Sequence, residues 1–147
     1  GIDAEMWDEI EKRTGWEVEV KQASFDAMWG ELDTGRADVV ANCLAVKEER
    51  TDKYNATIPY YGDSQCIIVN DDSDYKTSDD LKGKTVGCTN GQAAQTINVA
   101  YFLPKTDDGE KLTKELDDVI QDMLDDGTVA KITEKWMYAD MTKLIQK

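Results

Sequence analysis

Histidine is absent from all 147 residues. That absence excludes a Ser-His-Asp triad, a Cys-His pair and any histidine-ligated metal. Cysteine is scarce: Cys43, Cys66 and Cys88 lie far apart. An odd count argues against a complete disulfide framework and leaves the compartment open. Each cysteine sits in or beside an apolar, strand-like run, so burial as a small hydrophobe is the expected role. Positive charge is also short, with 17 Lys and Arg against 31 Asp and Glu, for a net charge of −14. Nucleic acid and anionic membranes are poor partners for such a surface, and the acidity reads as solubility. No apolar run approaches the roughly 20 residues of a transmembrane helix. The chain opens on a helical pattern with no signal-peptide stretch, so it is either cytosolic or has lost a leader.

What is present is enough apolar material, 40% of the residues, for one domain with a real core. Ile2, Met6 and Ile10 recur every fourth residue before Gly15, which predicts an amphipathic helix with a glycine stop. Trp16 to Lys21 alternates apolar and charged residues, as a half-exposed strand does. Ser24 can cap a second helix carrying Phe25, Met28, Trp29 and Leu32, ending near Gly35. Asp38 to Cys43 then reads as a buried strand. Strand, helix, strand in this order predicts a βαβ unit with a parallel pair.

Further strands are predicted at Gln65 to Val69, Lys84 to Cys88 and Ile97 to Leu103, the last closed by Pro104. Between them, Asp71 to Asp74 is an acidic loop and Thr77 to Gly83 a single capped helical turn. Leu112, Leu116, Val119, Ile120, Met123 and Leu124 form a helical stripe that Gly127 interrupts. Val129, Ile132 and Trp136 form another, and a last short helix is expected from Asp140 to Ile145. The stripes read as core faces. The class is α/β.

Several motifs fail on inspection. Gly83-Lys84-Thr85 imitates the end of a phosphate-binding loop, but Ser78 stands where the first glycine belongs and a strand follows instead of a helix. Asp71 to Asp74 lacks the glycine and the terminal glutamate of a calcium loop. Asn55-Ala56-Thr57 fits a glycosylation sequon, a pattern short enough to arise by chance.

Two features point to an anion. Past the buried strand that begins at Ala37, a loop and a short helical turn carry Arg50, ahead of Ile58-Pro59-Tyr60-Tyr61. A guanidinium held past a strand end can clamp a carboxylate in a bidentate fork, although an arginine without context is more often a solvated surface residue. Thr89 to Ala94 is a polar, glycine-containing loop that opens what reads as a helix, and free N–H groups at such a start favour anions. An ordinary strand-to-helix turn is the alternative.

These segments, in this order, resemble the bacterial extracellular solute-binding proteins of family 3, the binding components of amino-acid ABC importers. Gly1 to Met6 resembles the family's G-F-D-x-E-L start, and Phe25 to Asp38 its F-D…L-x-x-G-x-x-D segment. Asp38 to Arg50 resembles D-V-x-A…T-x-E-R, and Pro59-Tyr60-Tyr61 the P-Y-Y. Leu81 to Gly87 resembles D-L-K-G-K-x-V-G, and Asp125 to Thr128 with Lys135-Trp136 the C-terminal D-G-T…K-W. Asn42 and Lys53-Tyr54 look most like members that bind cystine or other polar amino acids.

The resemblance implies a periplasmic-binding-protein-like α/β fold. It would have a parallel-type sheet with flanking helices, two crossing hinge strands and a ligand cleft between lobes. Residues 1–66 and 104–147 would form the first lobe, and 67–103 the hinge strands plus a truncated second lobe. Crossings would fall near Cys66 to Val69 and near Asn98 to Leu103. Arg50 would clamp the ligand α-carboxylate, assisted by backbone N–H groups near Cys43 and Ala45 and by Gln92 and Ala93 from the second lobe. No catalytic residue, metal or cofactor is implied. The partners would be a free amino acid and a membrane permease, for a protein that is monomeric when intact. The location would be periplasmic or extracellular, with a lipid anchor upstream of Gly1 as one form. A dehydratase-like enzyme on the same fold and the sensor domain of a membrane receptor are the alternatives.

The departures matter as well. The family usually has glycine at Cys43 and threonine at Ala45. It begins with a strand that would lie between the two strands of the βαβ unit. Its second lobe is larger than residues 71–97 allow, and the missing part carries the acid that holds the ligand ammonium. The resemblance thus implies an incomplete member, shortened at Gln95-Thr96-Ile97. It would be either an engineered single lobe or a chain whose internal gaps are closed in the numbering.

Overall fold

The stripe Ile2, Met6 and Ile10 becomes the buried face of α1 (Ile2–Thr14), which stops at Gly15 with φ 74°. That left-handed φ carries no Cβ penalty for glycine, so the helix can end there without strain. The structure, a computed structural model, describes residues 1–64, 67–85 and 96–147. Ser24 caps α2 (Phe25–Asp33), its hydroxyl accepting the Ala27 N–H at 3.3 Å. There follow β1 (Val40–Ala45), α3 (Glu48–Thr51), β2 (Tyr54–Ala56) and β3 (Tyr61–Ser64). A 3-10 turn (Ser78–Leu81) precedes β4 (Thr96–Pro104), α4 (Asp107–Asp125), α5 (Thr128–Met137) and a second 3-10 turn (Met141–Leu144). No helix among the described residues is long and apolar enough to cross a membrane.

β4 organises the sheet. It pairs antiparallel with β1 on one side and with β2 on the other, and β3 also pairs with it. Both faces of β4 are covered, which is why Val99 to Leu103 are all fully buried. On one face Val99, Tyr101 and Leu103 meet Met6 and Ile10 of α1, Leu116, Ile120 and Met123 of α4, and Val129 of α5. On the other, Phe102 meets Leu32 of α2, Val40, Leu44 and Tyr54. Burying each large apolar side chain contributes about 1.5–3 kcal/mol, so this central strand anchors two cores at once.

Between Val40↔Phe102 and Leu44↔Ala100, four steps along β1 span two along β4. The extra residues make a bulge, and Cys43 within it has φ 47°. The left-handed region strains a non-glycine residue.

The chain divides into two compact units, Gly1–Asp63 with Ile97–Lys147 and Ser64–Thr96. In the second unit, Thr77 and Asp80 form a capping box: the Asp80 carboxylate accepts the Thr77 N–H at 2.8 Å and the Lys76 N–H at 2.9 Å. The predicted capped turn is therefore present, and the acidic segment before it is a loop.

Several expectations are corrected. Trp16 to Lys21 is not a strand. Two of its donors are taken by side chains: Trp16 N–H by Thr14 Oγ1 at 3.1 Å and Val18 N–H by Glu11 Oε1 at 3.0 Å. An alternating pattern makes a strand only beside a partner. No such partner lies next to this segment among the described residues, so the parallel βαβ pair does not form, and the β1–β4 and β2–β4 ladders are antiparallel. The strand predicted at Gln65 to Val69 falls partly outside the described residues. Ile67 to Val69 are exposed and irregular, and the strand in this part of the chain is β3. Lys84 and Thr85 are not in a strand, and the rest of that prediction lies outside the described residues. Trp136 is 45% exposed instead of core, its indole N–H donating to Glu5 at 3.0 Å. Cys43 is exposed as a residue, while Cys66 and Cys88 lie outside the described residues.

Candidate functional site

Arg50 is built into place by local structure. β1 ends at Ala45, and α3 turns the chain so that Arg50 comes back over that end. Its Nη1 donates to the Ala45 carbonyl at 2.7 Å. Its guanidinium carbon lies 5.6 Å from the Trp29 ring centroid and 5.9 Å from that of Phe25. Both rings belong to α2, at i and i+4, so they share a face. Burial pulls the guanidinium below its ordinary pKa, opposed by the charge of Glu49. Among the described residues it pairs with no carboxylate, unlike Arg13 and Arg36. A guanidinium has five donors, and one is committed to Ala45. The chemistry available is capture of an anion in a partly desolvated, aromatic-backed setting.

A second constellation centres on Asp3, in the first turn of α1. Its Oδ1 accepts the phenol of Tyr60 at 2.6 Å and that of Tyr101 at 3.1 Å. Its Oδ2 accepts the Cys43 N–H at 2.8 Å, with the Cys43 Sγ at 3.5 Å. Tyr60 and Tyr101 are fully buried and stacked 4.6 Å apart. Burial, with the neighbouring charges, drives both phenols well above their ordinary range. The Cys43 thiol is pushed up to about 11, first by burial and then by the Asp3 charge. A thiol so protonated is a poor nucleophile at neutral pH.

Of the residues predicted for the site, the structure joins Ala45 to Arg50, through the Ala45 carbonyl and not through the N–H expected to assist it. Cys43 stands two residues away on the same strand, but its N–H is committed to Asp3. Gln92 and Ala93 lie outside the described residues. Three contributors were missed. Trp29 and Phe25 read as core by their spacing. Asp3 was not singled out, although an acid beside the buried stripe with no basic neighbour was a usable signal.

A sizeable cavity lies elsewhere. A groove of about 860 Å³ separates α1 and residues 16–21 from the start of β1, with Trp7, Val18, Val39 and Leu112 in its walls. Its two cations are engaged, Arg36 with Glu31 at 2.9 Å and Lys21 with the Arg36 carbonyl at 3.1 Å. Arg50 does not line it, and the unpaired guanidinium makes the stronger chemical case for a ligand site.

This chain is 39% identical to the probable amino-acid-binding protein YxeM of Bacillus subtilis over 92 residues, 62% of this chain and 35% of YxeM. It is 28% identical to the putative amino-acid ABC transporter-binding protein PatH of Vibrio harveyi, over 97% of this chain and 82% of PatH. It is 27% identical to the L-cystine-binding protein TcyJ of Escherichia coli K12, over 97% of this chain and 76% of TcyJ. The TcyJ match runs over 202 positions against 147 residues here, so at least 55 positions inside it have no counterpart in this chain.

Among solved structures, the unliganded, open L-cystine solute receptor of Neisseria gonorrhoeae superposes with TM-score 0.76 at 19% identity, covering 99% of this chain and 86% of that one. The arginine-, lysine-, histidine-binding protein ArtJ of Geobacillus stearothermophilus gives 0.77 at 18%, covering 99% and 90%. The α/β fold is thus that of these binding proteins. The sequence model of the family matches residues 1–139, and the chain belongs to the bacterial extracellular solute-binding proteins, family 3.

Proposed function

We propose that this chain is the substrate-binding component, in whole or in part, of an amino-acid ABC importer, and that Arg50 anchors the ligand through its α-carboxylate. The observation that carries the proposal is the partly buried guanidinium of Arg50, backed by aromatic rings and without a carboxylate partner among the described residues. Desolvation of that charge is offset when an anion arrives, so the site favours a carboxylate over water. Gln92 and Ala93 are assigned to the same carboxylate on the family resemblance. The Cys43 N–H would join only by exchanging Asp3 for the ligand. On the family resemblance, residues 1–66 and 104–147 act as one lobe and 67–103 as the hinge strands and a shortened second lobe, with β4 a hinge strand that continues into the sheet of the first. The partner is a membrane permease, reached on the outer side of the cytoplasmic membrane.

A binding role fits the perturbed groups better than catalysis does. The Cys43 thiol at about 11 and the elevated phenols of Tyr60 and Tyr101 lie away from the range useful to a general acid or base at neutral pH. The deciding experiment is calorimetric titration of the chain with L-cystine, L-arginine and L-histidine, repeated with Arg50→Ala. Truncating one partner of a desolvated charge pair costs about 2–5 kcal/mol, enough to abolish a measurable heat. Equal binding by Arg50→Ala and the parent would refute the anchor.

A further inference from the structure

We infer that Trp29 is a positioning residue for Arg50: it fixes the direction in which the guanidinium offers its free N–H edge. The inference rests on the anchoring role proposed for Arg50. It comes from a ladder of side chains that runs Arg50, Trp29, Tyr54, Lys53. The guanidinium carbon is 5.6 Å from the Trp29 ring centroid. The Trp29 ring stacks on Tyr54 at 5.0 Å with 23° between planes. The Lys53 ammonium lies 5.1 Å from the far ring. Two cations thus bracket two electron-rich faces.

The ladder is held at several points. The Tyr54 hydroxyl donates to Asp33 at 2.7 Å, and Asp33 also holds Lys53 at 3.0 Å. Phe102, fully buried in β4, meets Trp29 edge-on at 5.8 Å. Trp29 therefore cannot turn without disturbing buried neighbours. Among the described residues the Arg50 guanidinium makes one hydrogen bond, to the Ala45 carbonyl. A single bond at one nitrogen leaves a long side chain free to swivel about it. The indole face supplies the second restraint. It is also specific in kind, because an aliphatic side chain of similar bulk fills space without attracting a cation. Phe25, half-exposed and 5.9 Å from the guanidinium, cannot replace it, since no buried ring among the described residues stacks on it as Tyr54 does on Trp29.

The test uses the ¹⁵N-labelled 147-residue chain with Trp29→Leu and Trp29→Phe. The Arg50 side-chain resonances should be displaced upfield by the ring in the parent, move towards exposed-arginine positions in Trp29→Leu, and stay displaced in Trp29→Phe. L-cystine, L-arginine and L-histidine are then titrated into all three. Affinity should fall about tenfold in Trp29→Leu and recover most of that loss in Trp29→Phe, in keeping with a partly desolvated cation–π contact. Arg50 resonances unchanged by Trp29→Leu would overturn the inference, as would equal losses in the two variants. If Trp29→Leu fails to fold, the parent spectrum decides: Arg50 resonances at exposed-arginine positions overturn it. If no amino acid binds the parent, the anchoring role falls, and the resonances still judge whether Trp29 positions Arg50.

Discussion

Replacing Asp3 with alanine should be among the most damaging substitutions in the chain. The carboxylate accepts two phenolic O–H groups and one backbone N–H, at 2.6, 3.1 and 2.8 Å. Alanine would leave the phenols of Tyr60 and Tyr101 without an acceptor, and both residues are fully buried. An orphaned buried donor costs about 1–3 kcal/mol. The Cys43 N–H, on an exposed residue, can recover a water. Loss of the first-turn charge from α1 adds about 0.3–1 kcal/mol. The expected total is about 3–5 kcal/mol, a large share of the 5–15 kcal/mol typical of a domain. Asp3→Asn keeps one acceptor oxygen but turns an amide donor towards other donors, so about 1–3 kcal/mol is expected. Urea unfolding followed by far-UV circular dichroism measures both. A cycle with Tyr60→Phe isolates the mechanism. Tyr60→Phe should cost about 1 kcal/mol in the parent and nothing, or less than nothing, once Asp3 is alanine. Strict additivity in that cycle, or an Asp3→Ala change below about 1 kcal/mol, would refute the hub.

Two further outcomes follow from the packing and the charges. A Cβ on Gly62 would run into the Leu144 carbonyl and the Ile145 amide, which are backbone and cannot swing aside. Gly62→Ala should destabilise by about 1–3 kcal/mol and release the C-terminal segment, where the Gln146 N–H donates to Asn98 at 2.7 Å; unchanged hydrogen exchange at Gln146 would contradict this. Asp117 is pushed above the ordinary carboxylate pKa by burial, against the pull of the Ile58 N–H that it accepts at 2.7 Å. The folded state then holds its proton more tightly than the unfolded state, so stability falls as pH rises from the unfolded pKa through the raised one. Asp117→Asn keeps the acceptor and loses the charge. It should therefore raise the thermal midpoint at pH 7 relative to the parent and lose that advantage near pH 3, and an equal effect at both pH values would exclude the reasoning.

The helices were legible because their signals are local. Ile2, Met6 and Ile10 with Gly15 specify α1 within one window, as Ser24 does for α2. β4 was legible for a related reason: a strand buried on both faces reads as a continuous apolar run, and Pro104 ends it. Strand pairing was not local. Trp16 to Lys21 has the alternation of a strand, but pairing depends on a neighbour supplied from elsewhere, and here side chains from α1 took the N–H groups of Trp16 and Val18 instead. At the site, Arg50 could be singled out from the strand-to-turn pattern before it. Its aromatic backing could not, because Phe25 and Trp29 at i and i+4 look the same whether they face a core or a cation. The Asp3 hub was hidden because it joins residues 40 to 98 positions apart.

The hub and the anchor are connected through β1. Cys43 and Ala45 stand two residues apart on the bulged strand, one giving its N–H to Asp3 and the other its carbonyl to Arg50. Holding Cys43 at φ 47° costs about 1–2 kcal/mol, since the left-handed region crowds Cβ against the carbonyl. A hydrogen bond to a carboxylate contributes about 1.5–3 kcal/mol, sufficient to keep the strained residue in place. A glycine there would adopt that φ without strain and would depend less on the Asp3 bond. With cysteine, the bulge is held by α1, and the carbonyl that fixes Arg50 sits at its far end. The first turn of α1 therefore serves more than the core: it sets the strand geometry from which the guanidinium is aimed. Displacing Asp3 should reach Arg50 through the backbone, although no side-chain contact joins the two.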